Sequence, residues 1–250
     1  MVEVDRHGGV AVLTMTRPKV NALSGAMVRA ISEGLSEVCG DASVGAVVLA
    51  SGMERAFSAG FDLKELDELA SEPFEGFIES FAALYRQIAT APVPVVAAVG
   101  GHALAGGAIL ALACDRRVFA EGQWGFGLTE VDLGVPLPPG VVHLIRTVGG
   151  ERVALEACVF GRRYTPAEAR QVGLADRLVA PEALPEAAGA EAAELAAKPR
   201  GALAAIREQF RVPLGRELAR LDAGVGGSFR RWWFDPVAVE RRRQVLAGRS

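Results

Sequence analysis

Apolar positions along the chain fall into two rhythms, one of period two or continuous, one of helical spacing. Residues 2–5 and 10–16 are short β-type runs parted by His7-Gly8-Gly9, which predicts a hairpin with His7 as an exposed turn residue. Arg17-Pro18 ends the second run. Ser24 is placed to cap a helix in which Val28, Ile31, Leu35 and Val38 recur at helical spacing, closing near Gly40. Residues 46–50 read as a buried strand, and the sequence SGMERAFSAGFDLKEL as a glycine-punctuated loop leading into a polar segment. Glu72-Pro73 opens a longer helix with Phe77, Phe81, Leu84, Tyr85 and Ile88 on one face.

The second half continues the alternation. Residues 93–99 form an apolar, β-branched run, expected as a buried strand, and residues 117–120 a further short one. Pro136, Pro138 and Pro139 lead into a helix with Val141, Leu144, Ile145 and Val148 on one face. Thr165-Pro166-Ala167-Glu168 is a capping box with proline at the first helical position, and Gly173 stops that helix. Residues 174–179 are the last strand candidate, and only helical patterns follow from Pro181. The expected organisation is an α/β core over 1–180 and a helical region over 181–250. A strand–strand–helix rhythm hints at an internal repeat.

One stretch stands out, GGHALAGGAILALACD from Gly100 to Asp115. Small residues lead into a segment that is apolar on every side, so its helix is expected to be buried. The N-terminus of such a helix is a cluster of free N–H groups carrying partial positive charge. Glycines there let another group approach the backbone, which makes a candidate anion or oxyanion site. The same glycines also suit plain strand–helix packing, and the stretch alone leaves both readings open.

Composition narrows the classes. With 250 residues, half of them hydrophobic, the chain can bury one sizeable core. A net charge of −3 offers no field for nucleic acid. Cys39, Cys114 and Cys158 form neither a CxxC pair nor an even disulfide set, which suggests a reducing compartment. His102 and His143 have no partner at ligand spacing, so no metal site is expected. No apolar run reaches membrane-spanning length, and MVEVDRHGG lacks an apolar leader core; a cytoplasmic protein is expected.

Three ordered stretches, AFSAGFDLKEL (56–66), HALAGGAILALACD (102–115) and FGLTEVDLGV (126–135), with RPKVNAL (17–23) and residues 165–179 in support, resemble the crotonase (enoyl-CoA hydratase/isomerase) superfamily. The resemblance implies a crotonase-like spiral of β-β-α units and a C-terminal helical region that assembles trimers or hexamers. It implies that the backbone N–H groups of Phe61 and Gly106 hold a thioester oxygen, with the Phe61 side chain shaping the acyl pocket.

Hydratases of the family use two glutamates to hold and activate a water. Here the second is Glu130 and the first position is Ile109. A single carboxylate suits proton removal and return, and the chain looks most like the Δ3,Δ2-enoyl-CoA isomerases, with Glu130 as the acid–base group. Burial among Trp124, Phe126 and Ile109 is expected to raise its pKa. The acid that a dienoyl isomerase would carry eight positions on is replaced by Pro138. Asp62 reads as a loop or helix cap, and Asp132 as non-catalytic.

The substrate-binding set implied is Ala22, Ala59, Phe61, Asp62, Leu63, Lys64, Gly106, Ile109 and Trp124. Coenzyme A belongs to the acyl-CoA substrate, and no separate cofactor is expected. Arg17, Lys19 and Lys64 are candidate phosphate contacts. Arg230, Arg231, Arg241, Arg242 and Arg243 could reach a neighbouring subunit's CoA but read rather as a solvated helix face. Trp232-Trp233-Phe234 reads as core or subunit interface. Alternatives are a hydratase or other crotonase-type reaction such as thioester hydrolysis, and a catalytically silent acyl-CoA-binding subunit.

Overall fold

The strand runs are apolar on both faces because both faces are covered. In the computed structural model, which describes residues 1–248, the main sheet has six strands in the order β1-β2-β3-β5-β7-β9. These are β1 (Val2–His7), β2 (Val10–Met15), β3 (Ala46–Ser51), β5 (Val95–Val99), β7 (Arg116–Ala120) and β9 (Arg177–Val179). The first pair is antiparallel and every later pair parallel. Val47, Leu49, Val95, Ala97 and Val99 face the large core. Their alternates Ala46, Val48, Val96 and Ala98 face a second, smaller core with Leu184, Ala187, Ala188 and Ala192. Those last four belong to α7 (Leu184–Ala196), so the helical region after 181 covers one side of the sheet.

The opposite side holds α1 (Gly25–Gly40), α3 (Ser71–Ala89) and α4 (Gly106–Ala113). Ser24 caps α1 as its side chain accepts from Met27 N–H. Thr165 and Glu168 form the reciprocal capping box of α6 (Pro166–Gln171). Helix α5 (Pro139–Cys158) runs further than the apolar pattern suggests, and Gly150 at φ 78° breaks it midway. The tail completes the chain with α8 (Arg200–Leu221), α9 (Val225–Trp233) and α10 (Pro236–Leu246).

Several expectations shift. The turn of the first hairpin is Gly8-Gly9 alone, both at positive φ, and His7 is the exposed last residue of β1, paired with Val10. The last strand begins only at Arg177, because Leu174 and Ala175 are buried in the turn that leaves α6.

Three further short strands were not expected, the first of them inside the stretch read as a loop: β4 (Ala56–Ser58), β6 (His102–Leu104) and β8 (Phe126–Gly127). They pair in parallel as a second sheet in the order β4-β6-β8. Each follows a main-sheet strand and precedes a helix, so the β-β-α rhythm is real and coils around the core. The C-terminal ends of these three strands meet, and the residues that follow them form one end of the molecule. Ligands of open parallel sheets gather at such ends.

Candidate active site

The site is built where β4, β6 and β8 stop. After β4 the chain turns through Ala59, Gly60 and Phe61, with Gly60 at φ 89°, a conformation glycine adopts without a steric penalty. Phe61 bridges Leu23: Leu23 N–H donates to Gly60 C=O at 2.8 Å, and Asp62 N–H donates to Leu23 C=O at 3.1 Å. In a parallel bridge these bonds leave the intervening Phe61 N–H pointing the other way. Among the described residues it has no backbone acceptor.

After β6, Ala105 N–H donates to Gly127 C=O at 2.8 Å, and Ala105 itself takes φ 47°. Helix α4 then begins at Gly106, whose N–H, at the first helical position, has no intrahelical acceptor. A Cβ on Gly60 would lie 3.3 Å from Gly106 N, so the two turns are in contact. All eight residues of α4 are buried, so its positive end is shielded from water.

The glycines do both of the things their pattern allowed. Gly107 is a packing residue, since a Cβ there would sit 2.2 Å from Ser58 C=O. Gly106 lies under the Phe61 ring, 3.2 Å from the place its own Cβ would occupy. That ring packs edge-on against Phe77 and Phe81 of α3, with centroids 5.0 and 4.9 Å away.

After β8 come Leu128, Thr129 and Glu130. Glu130 starts a 3-10 turn (Val131–Leu133), and its carbonyl accepts from Leu133 and Val135 N–H. The residue is 6 % exposed, and carboxylate Oε2 is buried without a hydrogen-bond partner. Burial pushes its pKa up to about 7; its own backbone N–H opposes this only in part. Cys158 is a neighbour, its thiol pushed up to about 11 by burial and then by the charge of Glu130.

A cavity of about 1020 Å³ joins these pieces. That is at the upper end for small-molecule sites, which run to roughly 1,000 Å³. Ala22, Ala59, Phe61, Asp62, Leu63 and Lys64 line it together with Glu130. Gly106, Ile109 and Trp124 are not on its wall. Ile109 is 1 % exposed, and Trp124 packs against Phe119 at 5.2 Å.

Three carboxylates touch the cavity, and only Glu130 is uncommitted. Asp62 caps the short helix α2 (Leu63–Asp67) by accepting from Glu65 N–H, and it pairs with Arg17. Burial alone would raise the Asp62 carboxyl, but the Arg17 guanidinium and the Glu65 and Lys64 amides outweigh it and hold it low. Asp132 is about half exposed, with Arg163 at 3.6 Å.

The cationic candidates sort differently from expectation. Arg17 is engaged with Asp62 and with Ala22 C=O at 2.9 Å, and Lys19 is off the wall. Among the tail arginines, Arg230 pairs with Glu75 at 2.7 Å and Arg242 is 2 % exposed. Arg242 is therefore no part of a solvated face. Arg241 lines the cavity within the same chain, as do Lys64 and Arg163. Of the aromatic triplet, Trp233 is buried and also lines the cavity, while Trp232 and Phe234 are exposed.

What the sequence reading lacked is the wall from α9 and α10, including Phe229, Trp233, Val237 and Leu246. No spacing signal could place it, because helical periodicity does not say which element a face packs on. Among the described residues no group of three or more His, Cys, Asp and Glu is close enough to hold a metal. No helix of those residues is long and apolar enough to cross a membrane.

Known proteins resemble this chain in sequence and fold. The family model described as enoyl-CoA hydratase/isomerase matches residues 5–224. A probable enoyl-CoA hydratase of Rhizobium meliloti is 38 % identical over 195 residues, 77 % of this chain and 74 % of that protein. The human mitochondrial enoyl-CoA delta isomerase 1 is 33 % identical over 183 residues, 73 % of this chain and 61 % of that protein. The crystal structure of human mitochondrial Δ3,Δ2-enoyl-CoA isomerase superposes with a TM-score of 0.94 at 27 % identity, covering 99 % of this chain and 97 % of the other. The chain is thus an enzyme fold of the crotonase type and belongs to the enoyl-CoA hydratase/isomerase family.

Proposed function

We propose that this enzyme is a Δ3,Δ2-enoyl-CoA isomerase, with Glu130 carrying the proton. The observation that carries the reading is the single uncommitted carboxylate of the cavity, buried and with one oxygen unpartnered. Adding water to a double bond needs one group to hold the water and another to move its proton. Here Asp62 is committed to Arg17 and α2, Asp132 is about half exposed and lies 3.6 Å from Arg163, and Ile109 offers no oxygen. One acid near pKa 7 suits a shuttle, because it gives a proton about as readily as it takes one.

In this reading the thioester oxygen of a 3-enoyl-CoA lies against the N–H groups of Phe61 and Gly106. Glu130 takes a proton from C2. The electron pair of that C–H bond forms the C1–C2 double bond of a dienolate, and the carbonyl π pair moves onto the thioester oxygen. As the carbonyl re-forms, the C1–C2 π pair shifts to C2–C3, the former C3–C4 π pair takes the same proton from Glu130 at C4, and the 2-enoyl-CoA results. Two prealigned donors in a dry site lower the barrier by several kcal/mol, and losing one costs roughly 3–4 kcal/mol. Lys64 and Arg241 are the cations we assign to the CoA phosphates. The scheme draws on no group besides the acid, the amides and the substrate, and a role in fatty acid metabolism follows from it.

The test offers 3-enoyl-CoA and 2-enoyl-CoA separately and resolves the products. Double-bond migration well ahead of water addition supports the proposal. Hydration at a comparable rate replaces it with the hydratase reading that several relatives' names carry. An inert protein that binds acyl-CoA leaves only a carrier role.

A further inference from the structure

Helix α10 touches both halves of the site. On one side, Arg242 Nε donates to Asp67 Oδ1 at 2.7 Å, at the last residue of α2. On the other, Ala238 lies against Gly134, where a Cβ would come within 3.3 Å of the Ala238 Cα. Gly134, at φ 75°, closes the 3-10 turn that begins at Glu130. Helix α2 has five residues and buries only Leu66, too little to hold itself in place. It begins two residues after Phe61, with Asp62 as its cap. Its position therefore depends on outside ties: Arg17 on Asp62 at the start, the Gly25 N–H donating to Glu65 at 2.9 Å in the middle, and Arg242 on Asp67 at the end.

Arg242 is built for that duty. It is 2 % exposed, its Nη1 donates to Trp233 C=O at 2.8 Å, and its guanidinium carbon stands 3.8 Å over the Trp233 ring. Trp233 in turn stacks on Phe74 of α3 at 4.9 Å. A buried arginine fixed on an aromatic plane and a carboxylate at once is a rigid joint, and lysine does not reproduce it.

We propose that Arg242 is a positioning residue: through α10 it sets the span between the Phe61 amide and the Glu130 carboxylate. This rests on the roles given to Phe61 and Glu130 above. A substrate carbon must sit between those two groups, and a misplacement of about 1 Å costs on the order of 100-fold in rate.

The experiment compares R242M, R242K, D67N and the double variant R242M/D67N with wild type. It measures kcat and KM on whichever enoyl-CoA wild type turns over, the melting temperature, and the affinity for free CoA. The expected result is a kcat for R242M lower by roughly 10- to 100-fold, well below its melting temperature, with CoA affinity within about twofold. D67N moves in the same direction, R242K recovers part of the loss, and the double variant is no worse than R242M, as partners in one joint require. Folded R242M or D67N with wild-type kcat overturns the proposal, as does a change confined to the melting temperature. If R242M does not fold, D67N decides, because Asp67 is 28 % exposed and its exchange leaves Arg242 on Trp233. The comparison is a ratio of variant to wild type, so it stands whether wild type isomerises or hydrates; only the product analysis decides the latter.

Discussion

At the scale of the residue, Glu130 is the costly member of the fold. Its folded pKa of about 7 lies above that of an unfolded glutamate, so the native state holds a proton that the unfolded chain has released between about pH 4.5 and 7. Stability contributed by the protonated form is complete at low pH and is lost as pH rises through 7. Glu130→Gln is therefore expected to melt like wild type near pH 4.5 and to be more stable at pH 8, by up to about 3 kcal/mol. A lower melting temperature for the variant at pH 8 contradicts the buried, unpaired carboxylate. The same group makes kcat/KM fall below about pH 7 as the base takes up its proton, read from a pH profile on 3-enoyl-CoA. Gly107 tests the packing beside the acid site. A Cβ 2.2 Å from Ser58 C=O cannot be accommodated without moving β4, so Gly107→Ala is expected to cost about 1–3 kcal/mol in denaturant unfolding.

At the scale of the element, what the chain declares and what it conceals separate by length. Helix α1 was readable because Ser24 stands four residues ahead of the clean apolar stripe that begins at Val28. Its cap is real, and Ser24→Ala should lose about 1 kcal/mol of stability by thermal melting. Strands β3 and β5 were readable because seven or fewer apolar residues run between punctuation. Strands β4, β6 and β8 were not, since two or three residues among glycines carry no period to detect. Yet these three place every group of the site. Glu130 and the turn at Phe61 were found through the ordered likeness to a family, whereas the turn at Gly106 was also legible as the glycine-rich start of a helix apolar on every side. The buried Arg242 was misread as surface because a charge in an arginine-rich tail normally is, and its partners Asp67 and Trp233 are remote or hidden in the sequence.

At the scale of the whole molecule, the segment after 181 serves the core and the cavity together. Helix α7 seals the outer face of the sheet, α9 packs on α3 through Trp233 and Phe74, and α10 supplies part of the cavity wall. Helix α8 is the exception. It buries only Leu218 and leaves Ile206 and Phe210 57 % and 72 % exposed. An apolar face of that kind suits contact between copies, and we expect a homotrimer or its dimer. Light scattering should then give three or six times 26.2 kDa, and a monomer at micromolar concentration refutes this assembly. Sequence and fold together place the chain in a family whose members bear both hydratase and isomerase names, and a fold alone does not choose between chemistries.

The central claim is that one buried acid moves one proton. It is met most directly by single-turnover conversion of 3-enoyl-CoA by wild type and Glu130→Gln side by side, with acyl-CoA binding measured on both. Binding is expected to stay within about threefold of wild type, and double-bond migration to fall by roughly 100- to 10,000-fold, the usual worth of a general acid–base group. Migration at near wild-type rate in folded Glu130→Gln contradicts the claim.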